Sequence, residues 1–443
     1  MSGAAVRFPP AGLLGPEILQ NVAPGRGLMS LMNKIAALVA GAVMVAMSQG
    51  AAFAQGASPD DVAKFLAGMP PSAGSPVAAL TRNPGWQRHS KWFESNWDTL
   101  DKRQLSRIRA WSERNLKDRQ NTLYYMFSGP DFLYANAFFP EANTYLMSGL
   151  EPVGALPTAS ERTIAALPRI QQSIGTSLRL SFFITQHMRN QLSGGDLAGT
   201  LPILYVYIAR SGKTIREVSL VNLDRDGNLH PAMGEARGMQ PGVKIVLASG
   251  SGPAQTLYYF RTDVSNGGVA ASGFLKFAAT LGNGNALLKS ASYLMHSGNF
   301  TQVRDFVLSH SQQIVQDDSG IPLAAFRPDV WTFQPFGAYL GPIAVFPGRG
   351  QPRLGELFKK AKAPPLDFGI GYRHRGHDSN LLLAVRKDQL KLGSPQTSQS
   401  APPLATTTSN TPPVPPANIS NVPPLRGGLA ADDKAPPSPE KQE

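Results

Sequence analysis

Four acidic residues come shortly after predicted β-strands, and they are the side chains best placed to carry chemistry. They are Asp131, Glu151, Asp317 and Asp318. In an open α/β sheet, ligands bind outside the carboxyl ends of the strands, so acids delivered there can converge on one site. Two converging carboxylates can act as general acid and base on a glycan, or can coordinate a divalent cation. The pattern therefore predicts a candidate hydrolytic site, with or without a metal ion.

A structural interpretation of the same acids stays open. Asp131 follows the turn Ser128-Gly129-Pro130 and stands where the first turn of a helix favours an acid. Aspartate also closes turns throughout proteins, and Asp263 holds a similar position after the β-prone run Thr256–Phe260. Sequence order alone does not decide whether any two of these acids meet.

Basic and aromatic residues alternate along the helical pattern Trp86–Arg119, and they form a second candidate site. The residues we single out for binding are Arg103, Arg107, Trp111 and Arg114. Such a face could hold a phosphate or a glycan. The alternative is an amphipathic helix pair that packs its tryptophans on the core and exposes a solvated basic face.

Metal and cofactor motifs are weak throughout the sequence. Asp224-x-Asp226-x-Asn228 starts like a calcium loop but has Leu229 where that loop requires glycine. His374-x-x-His377-Asp378 lacks the spacing and the fourth ligand of defined zinc sites. G-x-S-x-G, phosphate-binding-loop and H-E-x-x-H motifs are absent. We therefore assign no metal site and no cofactor.

The elements that must position these residues alternate between helical and strand patterns, which predicts an α/β (or α+β) fold. We expect one large domain over residues 57–390, with a mixed β-sheet layered by helices. The predicted strands are Thr122–Phe127, Thr144–Leu150, Arg216–Leu223, Val243–Ala248, Thr256–Phe260 and Gln313–Gln316. The predicted helices include Gly273–Leu281, Ala286–His296, Phe300–Ser309 and Leu354–Lys362. Ala159–Leu192 is interrupted by Pro168 and Gly175 and is expected to form two helices, or one with a kink.

Three segments of the domain are harder to assign. The apolar run Leu201–Arg210 fits a strand or a buried helix, since periodicity does not separate the two. Residues 331–352 are rich in Gly, Pro and aromatics and are expected to cover the core as an irregular layer. We expect Phe368–Tyr372 and Leu381–Val385 to form a closing hairpin.

The segments at both ends of the chain are predicted to lie outside the domain. Lys34 precedes an apolar run from Ile35 to Met47 that closes on Ala52-Phe53-Ala54, the pattern of a secretory signal peptide. We therefore expect residues 29–54 to be the signal, with cleavage near Ala54-Gln55, and residues 1–28 to come from an upstream start codon. Residues 391–443 are Pro-rich with few aliphatic clusters and are expected to be a disordered tail.

Composition indicates where the protein works. A secreted chain with no cysteine fits the bacterial periplasm or the extracellular space, and no run in the mature chain is long enough to span a membrane. The net charge of +12 falls almost wholly on residues 55–390 and favours anionic envelope polymers or glycans over nucleic acid as partners. We expect a non-enzymatic envelope-associated protein; the alternative is a hydrolase using the strand-end acids.

Overall fold

A ten-stranded mixed β-sheet organises the computed structural model, which describes residues 56–180, 197–232, 237–342, 346–373 and 378–388. The predicted upstream extension, signal peptide and tail lie outside the described residues, as do His374 and His377. The strands are β1 Thr122–Tyr125, β2 Thr144–Gly149, β3 Thr214–Leu223, β4 Leu229–Pro231, β5 Gln240–Ala248, β6 Ala254–Arg261, β7 Gly284–Leu288, β8 Ser311–Gln316, β9 Trp331–Gly337 and β10 Asn380–Arg386.

Five parallel strands form the centre of this sheet. The spatial order is β4-β3-β5-β6-β2-β1-β7-β8-β10-β9, and the pairs within β6-β2-β1-β7-β8 are all parallel. From β1 the chain moves outward through β2 and β6 on one side, and later returns to add β7 and β8 on the other. Strand order therefore reverses between β1 and β7, which is a topological switch point. Antiparallel strands extend both flanks.

Helices cover both faces of the sheet because the central strands are apolar on both faces. In β1, Leu123 and Tyr125 join one buried cluster while Tyr124 joins the other, as the alternation of a strand requires. The described helices are α1 Pro59–Leu66, α2 Pro84–Leu100, α3 Ser106–Asn115, α4 Phe132–Phe138, α5 Glu161–Leu180, α6 Leu201–Arg210, α7 Asn266–Ala271, α8 Phe274–Thr280, α9 Thr301–His310 and α10 Pro352–Ala361. Helices α1 to α6 pack on the first cluster and α7 to α9 on the second, giving three layers.

The predicted α/β class with a mixed, helix-layered sheet in a single domain is confirmed, and the residues from Ala57 onward cluster as one compact unit. The ambiguous run Leu201–Arg210 is the buried helix α6. Residues 331–352 do not begin as an irregular layer, since Trp331–Gly337 is strand β9. Strand β9 is the antiparallel partner of β10, so the predicted hairpin of Phe368–Tyr372 with Leu381–Val385 is wrong. Among the described residues, Phe368–Tyr372 contributes only an isolated bridge from Ile370 to Arg373.

One departure concerns the site directly. The segment Ala286–His296 was predicted to be a helix, but it divides into strand β7 and a short 3₁₀ helix, Ser290–His296. All five residues of β7 are buried, so no polar face marks the strand. Its alanine and leucines also have high intrinsic helix propensity, and burial between two helix layers overrides it.

Candidate functional site

The carboxyl ends of β1, β7 and β8 lie side by side at the switch point of the sheet. The three strands are parallel neighbours, so their ends share one edge. Asp131 follows β1 after a tight turn, Lys289 directly follows β7, and Asp317 directly follows β8. This edge is where an open α/β sheet places its ligand.

Asp131 and Lys289 form a buried ion pair across β1 and β7. The Lys289 Nζ lies 2.8 Å from Oδ2 of Asp131, with the two side chains only 3% and 2% exposed. The Tyr125 hydroxyl donates to the same oxygen at 2.8 Å, and the Tyr134 amide donates to Oδ1 at 3.2 Å. Asp131 therefore caps α4, as its position predicted, and also holds a cation at the strand ends. Burial raises the pKa of the Asp131 carboxyl, and Lys289 opposes that rise.

Buried ion pairs are expensive to build, since desolvating two charges offsets much of their attraction. The Lys289 ammonium also lies 4.4 Å from the centre of the Tyr134 ring, a cation–π contact. Stability alone is a weak reason to keep such a pair, because apolar residues of similar volume often do as well. A buried charge pair at a ligand-binding edge is therefore a candidate functional feature.

Asp317 and Asp318 place two further carboxylates at this edge, and both are 4% exposed. Oδ1 of Asp317 accepts hydrogen bonds from the Ser319 amide, at 2.9 Å, and from the Ser319 hydroxyl. Burial, and then the charge of Asp318, raise the pKa of Asp317 to about 7, while Ser319 and Lys289 oppose the rise. A carboxyl that titrates near neutral pH can both accept and donate a proton under physiological conditions.

Asp318 is held by cationic and phenolic partners. The Tyr293 hydroxyl donates to its Oδ2 at 3.0 Å, and Nε of Arg373 lies 3.6 Å from the same oxygen. Burial raises the pKa of Asp318, and Arg373 opposes that effect. Asp317 and Asp318 thus differ in surroundings, with Asp318 beside a guanidinium and Asp317 held by the neutral Ser319.

Ser290 lies beside Asp317. A β-carbon placed on Gly371 would collide with Oδ2 of Asp317 and would lie 3.4 Å from Oγ of Ser290. Both side-chain oxygens therefore lie within 3.4 Å of the position that this β-carbon would occupy. Gly371 has φ of +59° and brings its backbone against this point, where a side chain would not fit. The Ser290 hydroxyl and the Asp317 carboxyl therefore lie on the same side of Gly371 at the strand ends, without a hydrogen bond between them.

Three aromatic rings lie beside this cluster. Tyr293 lies 4.8 Å from Phe346 and 6.2 Å from Tyr372, and Phe346 lies 5.9 Å from Tyr372, measured between ring centres. Tyr293 is buried, whereas Phe346 and Tyr372 are partly exposed. Tyr372 follows Gly371 directly, and the charge of Asp317 helps to raise the pKa of its hydroxyl, so this group of rings lies next to Asp317.

Glu151 occupies a neighbouring position, at the end of β2 and thus on the other side of β1 from β7. It is buried, and the Tyr259 hydroxyl donates to its backbone oxygen at 2.9 Å and lies 3.4 Å from Oε2. The structure thus brings Asp131 and Asp317 near Lys289, places Asp318 beside Asp317, and puts Glu151 one strand away. Asp263 is exposed, and its carboxylate accepts bonds from Ser265 in a turn.

The basic residues predicted to bind a partner lie on and beside α3. Arg103, Arg107 and Arg114 are exposed, and two of them donate to backbone oxygens, Arg103 to Leu178 and Arg107 to Asp367. Trp111 is buried at 3% exposure, with its ring packed edge-on against Phe138, Phe336 and Phe368. The tryptophan is therefore part of the core, as the structural alternative held, and the arginines alone face solvent.

Sequence reasoning missed Lys289 and Ser290, because both fell inside the segment predicted as a helix. The available signal was a short apolar run, Ala286–Leu288, bounded by Gly284-Asn285 before it and a lysine after it. In the part of the chain that the structure describes, no three His, Cys, Asp or Glu side chains are grouped so as to hold a metal ion. Nor is any described helix long and apolar enough to cross a membrane.

Comparison with known proteins adds no assignment to this geometry. No protein-family model, no curated protein and no solved structure matches this chain.

Proposed function

We propose that this protein is a hydrolase whose active site is the group Asp131, Lys289, Asp317 and Asp318, together with the residues that surround it. The observation that carries the proposal is the convergence of three buried carboxylates and a buried lysine at the topological switch point. Groups with shifted pKa values at the ligand-binding edge of an α/β sheet are a recognised mark of an active site.

Asp317 is the proton-transfer group in this proposal. Its pKa of about 7 leaves both protonation states populated at neutral pH, which is the condition for an efficient general acid and base. The negative charge of Asp318 helps to raise the pKa of Asp317. Lys289, paired with Asp131, supplies a fixed cation nearby. The roles differ because Asp317 is hydrogen-bonded by neutral Ser319, whereas Asp131 and Asp318 lie beside cations.

The charge balance of the site favours an uncharged reacting group. Three carboxylates lie beside two cations, Lys289 and Arg373, so a phosphate would meet a surplus of negative charge when all three acids are ionised. A neutral ester, amide or glycoside avoids that repulsion. We therefore propose a neutral bond as the target of hydrolysis.

The test is turnover of chromogenic substrates by matched variants of the full chain. Purified protein is assayed on p-nitrophenyl esters of increasing acyl length and on p-nitrophenyl glycosides. Asp317→Asn removes the proton-transfer group with little change in shape. Asp263→Asn makes the same change at an exposed strand-end acid outside the group.

We expect Asp317→Asn to lower kcat by about 10²- to 10⁴-fold, the range that general acid–base catalysis supplies. Asp263→Asn should stay within about twofold of the wild type, because surface changes of this kind rarely disturb a distant site. Full activity in Asp317→Asn would refute the assigned role. Absence of turnover on every substrate class would remove the support for a hydrolase.

A second candidate function is favoured by the exposed arginines of α3 and the segment before it. In this alternative the protein is secreted, remains in the envelope and binds an anionic polymer or glycan through Arg103, Arg107 and Arg114. Replacing all three by glutamine should weaken co-sedimentation with anionic vesicles or cell-wall polymer, and rising salt should weaken the wild type similarly. Salt-independent binding, or no binding, would count against it.

A further inference from the structure

Ser290 forms the sharp turn between strand β7 and the 3₁₀ helix Ser290–His296. Its φ is +57°, in the left-handed region that side chains other than glycine and asparagine rarely adopt. Holding a non-glycine residue there strains the backbone, and such residues cluster at active sites. The strain is therefore a reason to ask what Ser290 does.

Two other residues with positive φ show that Ser290 is unusual in adopting this backbone conformation at a buried position. Among the described residues, the only other non-glycine residues with positive φ are Asp118 and Lys362. Both are exposed, and Lys362 forms the left-handed C-cap of α10, a common position for such a conformation. Ser290 alone of the three is buried and links the carboxyl end of a strand to a helix.

The Ser290 hydroxyl also lacks a hydrogen bond that would offset its burial. Its Oγ is buried and has no hydrogen-bond partner among the described residues. Leaving a buried hydroxyl unpaired destabilises the fold, because no hydrogen bond offsets its removal from water. Other buried polar atoms share this property, so the missing bond alone singles out nothing. What distinguishes Ser290 is that the unpaired hydroxyl, the left-handed backbone and the nearby carboxyl of Asp317 occur together.

We propose that Ser290 is the covalent nucleophile of the hydrolase, and that its substrates are carboxylic esters with an apolar or aromatic acyl group. The inference rests on the proposed function and deepens it. Hydrolases of other folds also present a nucleophilic serine on a strained strand-to-helix turn, which holds Oγ clear of the backbone. The residues around Ser290, Lys289 and Ala291, do not follow the G-x-S-x-G pattern, so the assignment rests on geometry alone.

The reaction balances with the groups present. The Ser290 Oγ–H proton passes to Asp317 as Oγ bonds to the ester carbonyl carbon. The bond from that carbon to the leaving oxygen breaks, and the leaving oxygen takes the proton from Asp317. Water then gives a proton to Asp317 and bonds to the acyl carbon, and Ser290 leaves and recovers the proton. No atom changes oxidation state, and no co-reactant other than water is needed.

The acyl preference follows from the rings beside the serine. Tyr293 lies three residues after Ser290, and with Phe346 and Tyr372 it forms the partly exposed aromatic group next to the cluster. Such rings bury apolar carbon well and add stacking energy for an aromatic acyl group. Butyryl and benzoyl esters should therefore be better substrates than acetyl esters.

The first measurement is covalent labelling of the full chain with a fluorophosphonate, read by intact mass. Trypsin cuts after Lys289 and Arg304, so Ser290 begins the peptide 290–304, and fragmentation separates it from Ser292 and Ser297. We expect one label, on Ser290. An unlabelled wild type, or a label on another serine, would overturn the proposal.

The second measurement compares turnover of p-nitrophenyl butyrate by three variants. Ser290→Ala and Ser290→Gly should each lose at least about a hundredfold in kcat, as removal of a nucleophile does. The glycine variant also guards against misfolding, because glycine adopts positive φ without strain and should not lower the melting temperature. Ser297→Ala is the matched control: it removes a partly exposed hydroxyl of the same peptide, which accepts a hydrogen bond from the Asn299 amide at 3.3 Å, and it should remain active.

The outcomes separate this inference from the function on which it rests. If both Ser290 variants keep wild-type turnover while Asp317→Asn loses it, water attacks directly, the hydrolase stands and Ser290 is not the nucleophile. If turnover survives in Ser290→Ala, Ser290→Gly and Asp317→Asn, both proposals fail. Loss of turnover in Ser290→Gly and Asp317→Asn, with folding intact, supports both.

Discussion

Replacing Asp317 by asparagine should stabilise the protein above neutral pH. The carboxyl has an ordinary pKa of 3.8 when the chain is unfolded and about 7 in the folded protein, mainly because it is buried. The folded state therefore binds the proton more tightly between these two values. Stability is highest below about pH 4 as far as this group is concerned, and it is lost as pH rises toward 7.

The size of the effect follows from the two pKa values. Each pH unit between them removes about 1.4 kcal/mol from the free energy of unfolding, so the full loss is about 4 kcal/mol by pH 8. Asparagine is neutral at every pH, and its side-chain oxygen still accepts a hydrogen bond from Ser319. Asp317→Asn should thus gain up to about 4 kcal/mol at pH 8, or about 5 °C in melting temperature for a domain of this size.

The assay is urea unfolding followed by circular dichroism at several pH values between 5 and 8. Burial raises the pKa of Asp131 and Asp318 too. Because the charges of Asp317 and Asp318 repel each other, the difference between the two curves reports Asp317 together with the relief of that repulsion. Asp263→Asn should follow the wild type at each pH, because that acid is exposed. A variant less stable than the wild type at pH 8 would refute the reasoning, since it would mean that the ionised carboxylate stabilises the fold.

Three further predictions concern other parts of the chain. Lys289→Met should cost about 3–5 kcal/mol by leaving the buried Asp131 carboxylate without its ammonium partner, and adding Asp131→Asn should recover most of the loss in urea unfolding. Mass spectrometry of protein from an envelope fraction should find a mature N-terminus at Gln55; cytoplasmic protein with an intact start would contradict secretion. Deleting residues 391–443 should change the melting temperature by no more than about two degrees, and a loss of about ten degrees would show that the tail docks.

Local chemistry predicted much of the framework. The strand that precedes Asp131 and the capping role of that residue follow from β-prone residues, a Gly-Pro turn and an acid at a helix start. The order of the strands in the sheet did not follow from local chemistry. Whether Asp131 meets Asp317 depends on β7 inserting between β1 and β8, and strand order is set by packing of both sheet faces, not by any local signal.

The two least predictable segments were those with the most apolar residues. Leu201–Arg210 and Ala286–Leu288 lack polar positions, so their periodicity does not separate a buried helix from a buried strand. The first became a helix and the second a strand. The wrong prediction at Ala286–Leu288 hid Ser290, because a residue expected within a helix gives no reason to look for a strained turn.

The two outer strands of the sheet affect the tendency of this protein to aggregate at high concentration. A wide sheet that ends in free backbone N–H and C=O groups can recruit strands from other molecules and begin aggregation. Here the outer strand β4 has three residues and ends at Pro231, and the outer strand β9 contains Pro335, which has no N–H to donate. The interrupted donor row at the β9 border discourages intermolecular pairing there, so resistance to fibril formation should depend on Pro335.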